Sequence, residues 1–86
     1  MHIVIAMAKV GQLGKFSIYV FPPSQHDNNY VKVKTRGGET VGKFRLDIWA
    51  WEKNIQLSSV DRSKLEAWVV DNLDTISNKI KEMSGK

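Results

Sequence analysis

The chain has 86 residues, 9.8 kDa and no cysteine, which suits one small core and excludes a second domain, most cofactor-binding architectures, a disulfide framework and a thiolate site. Thirteen Lys+Arg against nine Asp+Glu give a net charge of +4 and a pI near 9.5, a weak preference for anionic partners. With 42% hydrophobic and 26% charged residues, the chain has the composition of a domain that folds by itself rather than of a disordered tail.

The first apolar run, Ile3 to Met7, lacks the length and the basic flank of a signal-peptide core, and no segment approaches the ~20 apolar residues of a membrane span. A cytoplasmic location without a membrane partner is the expectation. Residues 2–7 read as a first, β-branched strand, and Gly11 and Gly14 then break the pattern. A second run, Phe16 to Phe21, stops at Pro22-Pro23, whose nitrogens cannot donate to a ladder. Residues 22–29 are a loop of turn formers. A third strand, Tyr30 to Thr35, alternates, with Val31 and Val33 on one side and Tyr30, Lys32 and Lys34 on the other.

Arg36-Gly37-Gly38-Glu39 reads as a hairpin turn: the two glycines supply the positive φ angles of a two-residue loop, closed by Arg36 and Glu39 as an opposite-charge pair. The register that follows sets Val31 opposite Phe44 and Asn29 opposite Leu46 on the core side, with Lys32 opposite Lys43 and Tyr30 opposite Arg45 on the other. Carried on to Trp51, the fourth strand points Phe44, Leu46, Ile48 and Ala50 inward and Lys43, Arg45, Asp47, Trp49 and Trp51 outward. Ile55 to Leu57 suits a short return strand.

From Ser59, a plausible N-cap, the apolar period changes. Leu65, Val69, Leu73, Ile76, Ile80 and Met83 form one stripe of a helix with Trp68 beside it, and a break near Asp71-Asn72 is the alternative to one continuous helix. The expected fold is α+β: an antiparallel sheet of about four or five strands with a C-terminal helix packed on one face.

Positive charge belongs to the N-terminal half, since residues 1–46 carry seven basic and two acidic side chains and residues 47–86 six and seven. Tyr30, Lys32, Lys34, Lys43, Arg45, Trp49 and Trp51 therefore interleave cations with rings on one sheet face. Such a surface binds single-stranded RNA, with phosphates on the cations and bases on the rings. Tryptophans next to arginine also anchor protein partners. The plain alternative is a solvated face whose cations guard against edge pairing, with the tryptophans buried under residues 8–14 or the N-terminal strand. Protein binding ranks slightly ahead of RNA here, because a net charge of +4 is modest and because Asp47 and Glu52 flank the tryptophans and repel phosphate. A homodimer through a strand edge is compatible with both.

Catalytic chemistry is poorly represented. His2, His26 and Asp27 are too few for a metal site, Ser24 near His26 lacks an orienting carboxylate, and Gly11 and Gly14 lack the flanking pattern of a phosphate loop. No cofactor is expected, and His26 is the one candidate acid–base group.

The order of Ile18-Tyr19-Val20-Phe21, His26 with Asp27-Asn28-Asn29, Tyr30-Val31-Lys32-Val33, Gly37-Gly38, Lys43-Phe44-Arg45-Leu46 and a helix with Val70-Asp71-Asn72 resembles the small bacterial family called domain of unknown function 4160, over residues 15–83. The family pattern has a histidine, three loop residues and then His-aromatic-His-Val. Only His26 aligns; Tyr30 and Lys32 stand where the next two histidines fall, and asparagines replace the loop prolines. The resemblance implies a small protein of a two-gene module of toxin–antitoxin type that acts by binding protein or RNA. A bacterial or phage-type regulatory module is the expected setting, and an inhibitor of a host defence complex is one form that a protein-binding member of it takes. Any activity carried by the family histidines is lost on this reading.

Overall fold

A computed structural model describes residues 8–21, 30–53 and 55–83. The expected strand at 2–7, the loop at 22–29 and the pairing of Asn29 with Leu46 lie wholly or partly outside them, as do His2, Ser24, His26 and Asp27. The described residues form an antiparallel sheet of five strands in sequence order, β1 (Ala8–Leu13), β2 (Phe16–Val20), β3 (Tyr30–Lys34), β4 (Thr40–Arg45) and β5 (Ala50–Trp51), followed by α1 (Ser59–Asp71) and α2 (Leu73–Met83). The α+β class and the packing of the C-terminal segment on one sheet face are as the alternation requires.

Alternation decides which face is covered. Phe16, Ile18 and Val20 of β2, Val31 and Val33 of β3, and Val41 and Phe44 of β4 are buried together with Leu65 and Val69 of α1 and Ile76 and Ile80 of α2. Side chains between them on β2 and β3 point to the other side, where none of the described helices lies.

The β3–β4 register is the expected one, with Tyr30 opposite Arg45, Val31 opposite Phe44 and Lys32 opposite Lys43. The turn is different. Thr35, not Arg36, lies opposite Glu39: its N–H donates to the Glu39 carbonyl and its carbonyl accepts from Gly38 N–H, both at 2.9 Å. Arg36-Gly37-Gly38 is thus a three-residue loop, with Gly38 at φ 92° in the left-handed position that this loop demands. The extra residue is absorbed at a bulge between Val33 and Lys34, after which Lys34 faces Thr40.

Three further expectations are corrected. Residues 8–13 form strand β1 rather than a loop. Its Gly11 does not end the strand, although the ladder to β2 shifts register between Lys9 and Gly11; it faces inward, and a β-carbon there would lie 2.1 Å from the Trp68 ring. The fourth strand stops at Arg45, and residues 46–49 turn back so that Trp51 pairs with Phe44 and Ala50 with Arg45. Trp51 therefore lies on the core side, over Gly42, where a β-carbon would come within 2.9 Å of the indole. Ile48, expected inward, is 59% exposed. Residues 55–57 form no regular strand, although Gln56 N–H donates to the Val41 carbonyl at 2.8 Å.

The C-terminal segment is two helices. Ser58 rather than Ser59 caps α1, its hydroxyl accepting from Asp61 N–H at 3.1 Å. At Asn72 the backbone leaves the helical region (φ −117°, ψ 22°), and its side-chain amide donates to the Trp68 carbonyl at 2.8 Å. A side chain competing for a helical carbonyl is a recognised cause of a kink. The kink turns Leu73 out of the stripe to 40% exposure while Ile76 and Ile80 stay buried.

Gly11→Ala is expected to lower unfolding free energy by about 1–3 kcal/mol, since the Trp68 ring must move from a close-packed seat. Trp68→Leu in the same chain should recover part of that loss. Urea unfolding of the four members of this cycle measures the coupling, and strictly additive effects would show that the two residues do not meet.

Candidate functional site

The sheet face turned away from the described helices is built from the strand positions that alternate with the core. Cross-strand neighbours place Lys9, Tyr19, Lys32 and Lys43 in one row over β1 to β4. One step along the strands lie Tyr30 and Arg45, with the Phe21 ring 5.4 Å from that of Tyr30. One step the other way, Lys34 lies between Ser17 and Thr40. Five of the seven residues singled out in the sequence, Tyr30, Lys32, Lys34, Lys43 and Arg45, thus share this face.

Trp49 and Trp51 do not join them. Trp51 stacks edge-on against Phe44 at 5.1 Å, and its indole N–H donates to the Glu66 carboxylate of α1 at 2.6 Å. Trp51 is half-buried against the core with its ring over Gly42, so the plain alternative describes it in part, its partners being Phe44 and Glu66 rather than residues 8–14. Trp49 stands in the turn, 43% exposed, its ring edge-on to Phe44 at 4.9 Å. Its φ of 56° is a left-handed conformation that a bulky L-residue adopts only at a cost.

Tyr19 and Phe21 take the place of the tryptophans. Each of the three central lysines reaches over a ring: Lys32 over Phe21 at 4.7 Å, Lys34 over Tyr19 at 5.6 Å and Lys43 over Tyr30 at 5.5 Å. The sequence signal was present, because the alternation of β2 that buries Ile18 and Val20 sends Tyr19 and Phe21 outward.

The electrostatics of the face are unfavourable to the fold by themselves. Partial burial, then the neighbouring ammonium groups of Lys43 and Lys34, hold the Lys32 pKa below its ordinary value. Directly opposed like charges cost roughly 0.2–1 kcal/mol, about what an exposed cation–π contact returns, so the rings offset the crowding without making it an asset. Arg45 is engaged differently: it donates through Nε and Nη2 to the Asp47 carboxylate at 3.1 and 2.7 Å. That bidentate contact raises the arginine pKa and lowers that of Asp47.

Among the described residues no cluster of three or more His, Asp or Glu gathers as a metal site, and no helix is long and apolar enough to cross a membrane. No family model, no curated protein and no solved structure matches the chain.

The Lys32 shift has a measurable sign. A lysine whose folded-state pKa is lowered opposes folding while it is protonated in both states. That opposition fades as pH rises through the lowered value towards 10.5, the ordinary lysine value. Wild type should therefore gain stability relative to Lys32→Met as pH climbs in that window. Parallel melting curves across alkaline pH test this; a constant difference in Tm would mean that Lys32 titrates as a free lysine does.

Proposed function

We propose that the protein binds single-stranded nucleic acid, unpaired RNA above all, on the open face of its sheet, and that it does so without chemistry. The supporting observation is the crowding of Lys32, Lys34 and Lys43 over Tyr19, Phe21 and Tyr30. Cations that merely guard against edge pairing belong on edge strands, whereas β3 and β4 are interior to the five-strand order. Phosphate relieves the repulsion among the three ammonium groups, and bases stack on the rings that the lysines cover. Of the two reasons for ranking a protein partner first, the modest net charge of +4 stands, while the outward Trp49/Trp51 pair beside acidic residues does not, since Trp51 is committed to Phe44 and Glu66.

A second reading, recognition of a protein partner, is favoured by one other observation. Ile48 and Trp49 are exposed together at the β4–β5 turn, the Trp49 backbone at positive φ, and an exposed aromatic beside an aliphatic side chain suits an interface anchor. Both readings are compatible with a small regulatory module of toxin–antitoxin type, which the family resemblance alone implies.

Fluorescence anisotropy with a labelled oligouridylate of about ten nucleotides tests the first reading. Wild type is expected to bind with a log–log salt slope of about −2, the value for three lysine–phosphate contacts on a single strand. Lys32→Gln and Lys43→Gln should each weaken binding and flatten the slope by about 0.7. Tyr30→Ala should cost roughly five- to a hundredfold in affinity. A matched duplex should bind more weakly, and Trp49→Ala should leave RNA affinity unchanged. Salt-independent binding, or affinity indifferent to both lysine substitutions, would sink the proposal.

A further inference from the structure

Resting on the reading of the open face as a nucleic-acid site, we infer that the bound chain lies along β3 and β4 rather than across the sheet. Its phosphates follow Lys34, then Lys32 with Lys43, then Arg45, and two bases lie over the rings of Tyr19 and of Phe21 with Tyr30. The face is divided by chemistry along the strand direction. Rings occupy β2 and the Tyr30 end of β3, whereas Lys32 and Lys34 of β3 and Lys43 and Arg45 of β4 supply the charge.

Successive outward positions on one strand are about 6.6 Å apart, comparable to the separation of neighbouring phosphates in an extended sugar–phosphate chain. Lys34 to Lys32 is one such step, and Lys43 to Arg45 is another. Because Lys32 and Lys43 are directly opposed, they form a single level that two ammonium groups share. The rail thus has three levels. Rings stand beside two of them, Tyr19 level with Lys32 and the Phe21–Tyr30 pair level with Arg45.

A chain laid across the sheet would meet a different set. It would follow the row from Lys43 and Lys32 past Tyr19 to Lys9, with a single ring in its path. Lys9, moreover, is occupied on the surface by the Gln12 side chain at 2.6 Å. The two orientations therefore differ in which cation they need, Arg45 or Lys9.

Asp47 limits the rail at its third level. The carboxylate that holds Arg45 at 2.7 Å competes with phosphate for the same guanidinium and repels it. A ligand that fills the first two levels does not meet Asp47, and a longer one does.

Uridylates graded from one to about ten nucleotides, titrated into wild type, Lys9→Gln and Asp47→Asn, test the orientation and the footprint together. Affinity should rise steeply up to about three nucleotides and only slightly beyond, since two bases and three phosphate levels are then filled. Lys9→Gln should stay within about twofold of wild type at every length. Asp47→Asn should strengthen binding severalfold for ligands of about three nucleotides or more and leave the mononucleotide unchanged. Affinity that keeps climbing to the longest ligand overturns the footprint. A loss in Lys9→Gln with no gain in Asp47→Asn overturns the orientation. In both cases open-face binding itself stands. If wild type with a cooperative melting transition binds no length at all, both the inference and the reading beneath it fail.

Discussion

The register of β3 against β4 is the constraint on which the rest depends. Val31, Val33 and Phe44 are almost wholly removed from solvent beneath Leu65, Val69 and Ile76. A slip of β3 by one residue against β4 would exchange Val31 and Val33 for Lys32 and Lys34. Because side chains alternate with a period of two, that slip would bury two ammonium groups beside Phe44 and expose two core valines at once. The register is held by the core and not by the turn, as the loop itself demonstrates. A three-residue connection would have shifted the pairing, and the bulge between Val33 and Lys34 returns it to the alignment that the core demands. What faces the open side is therefore fixed by what the helices must cover.

Two glycines extend the same logic to the helix side. Trp68 and Trp51 are too large for an ordinary layer between helix and sheet, and each is seated where a strand residue has no β-carbon, Trp68 on Gly11 and Trp51 on Gly42. With its N–H satisfied by Glu66, Trp51 ties the short β5 to α1 at one flank of the sheet. The aromatic surface left to the open face comes instead from β2 and the start of β3.

Much of this was legible in the sequence where a single period rules. Alternation in Tyr30–Lys34 gave Tyr30, Lys32 and Lys34 one face, and the hairpin register set Lys43 and Arg45 opposite Lys32 and Tyr30 on it; the same alternation in Phe16–Val20 was left unread, and Tyr19 and Phe21 were missed with it. The errors share a cause: a local pattern continued past the point where the chain turns. Lys43 to Trp51 alternates well enough for a long strand, yet the chain turns back at 46–49, and no glycine or proline announces that turn. The signal was Asp47, a turn former midway, and the turn is completed by a tryptophan at positive φ, which no propensity suggests. Leu73 was misplaced in the same way, its spacing from Val69 having meaning only if the helix runs straight through Asn72. Gly11 read as a break because a glycine in a strand signals either an interruption or a close approach, and only the position of Trp68 tells which.

The open face also has to be reckoned against its own internal contacts. The three lysines lie over Phe21, Tyr19 and Tyr30, each contact worth roughly 0.5–1 kcal/mol when exposed. A base that stacks on a ring must displace the ammonium group, and stacking returns about 1–3 kcal/mol per base. The exchange is favourable, by a margin smaller than either figure alone suggests. What tips it further is that the displaced ammonium does not return to water beside two like charges: it meets the phosphate that enters with the base. On the proposed reading stacking and charge pairing are thus coupled, so removal of a lysine and removal of the ring beneath it should be strongly non-additive in RNA affinity. A face that merely exposed rings and cations side by side, without lysines resting on the rings, would show no such coupling.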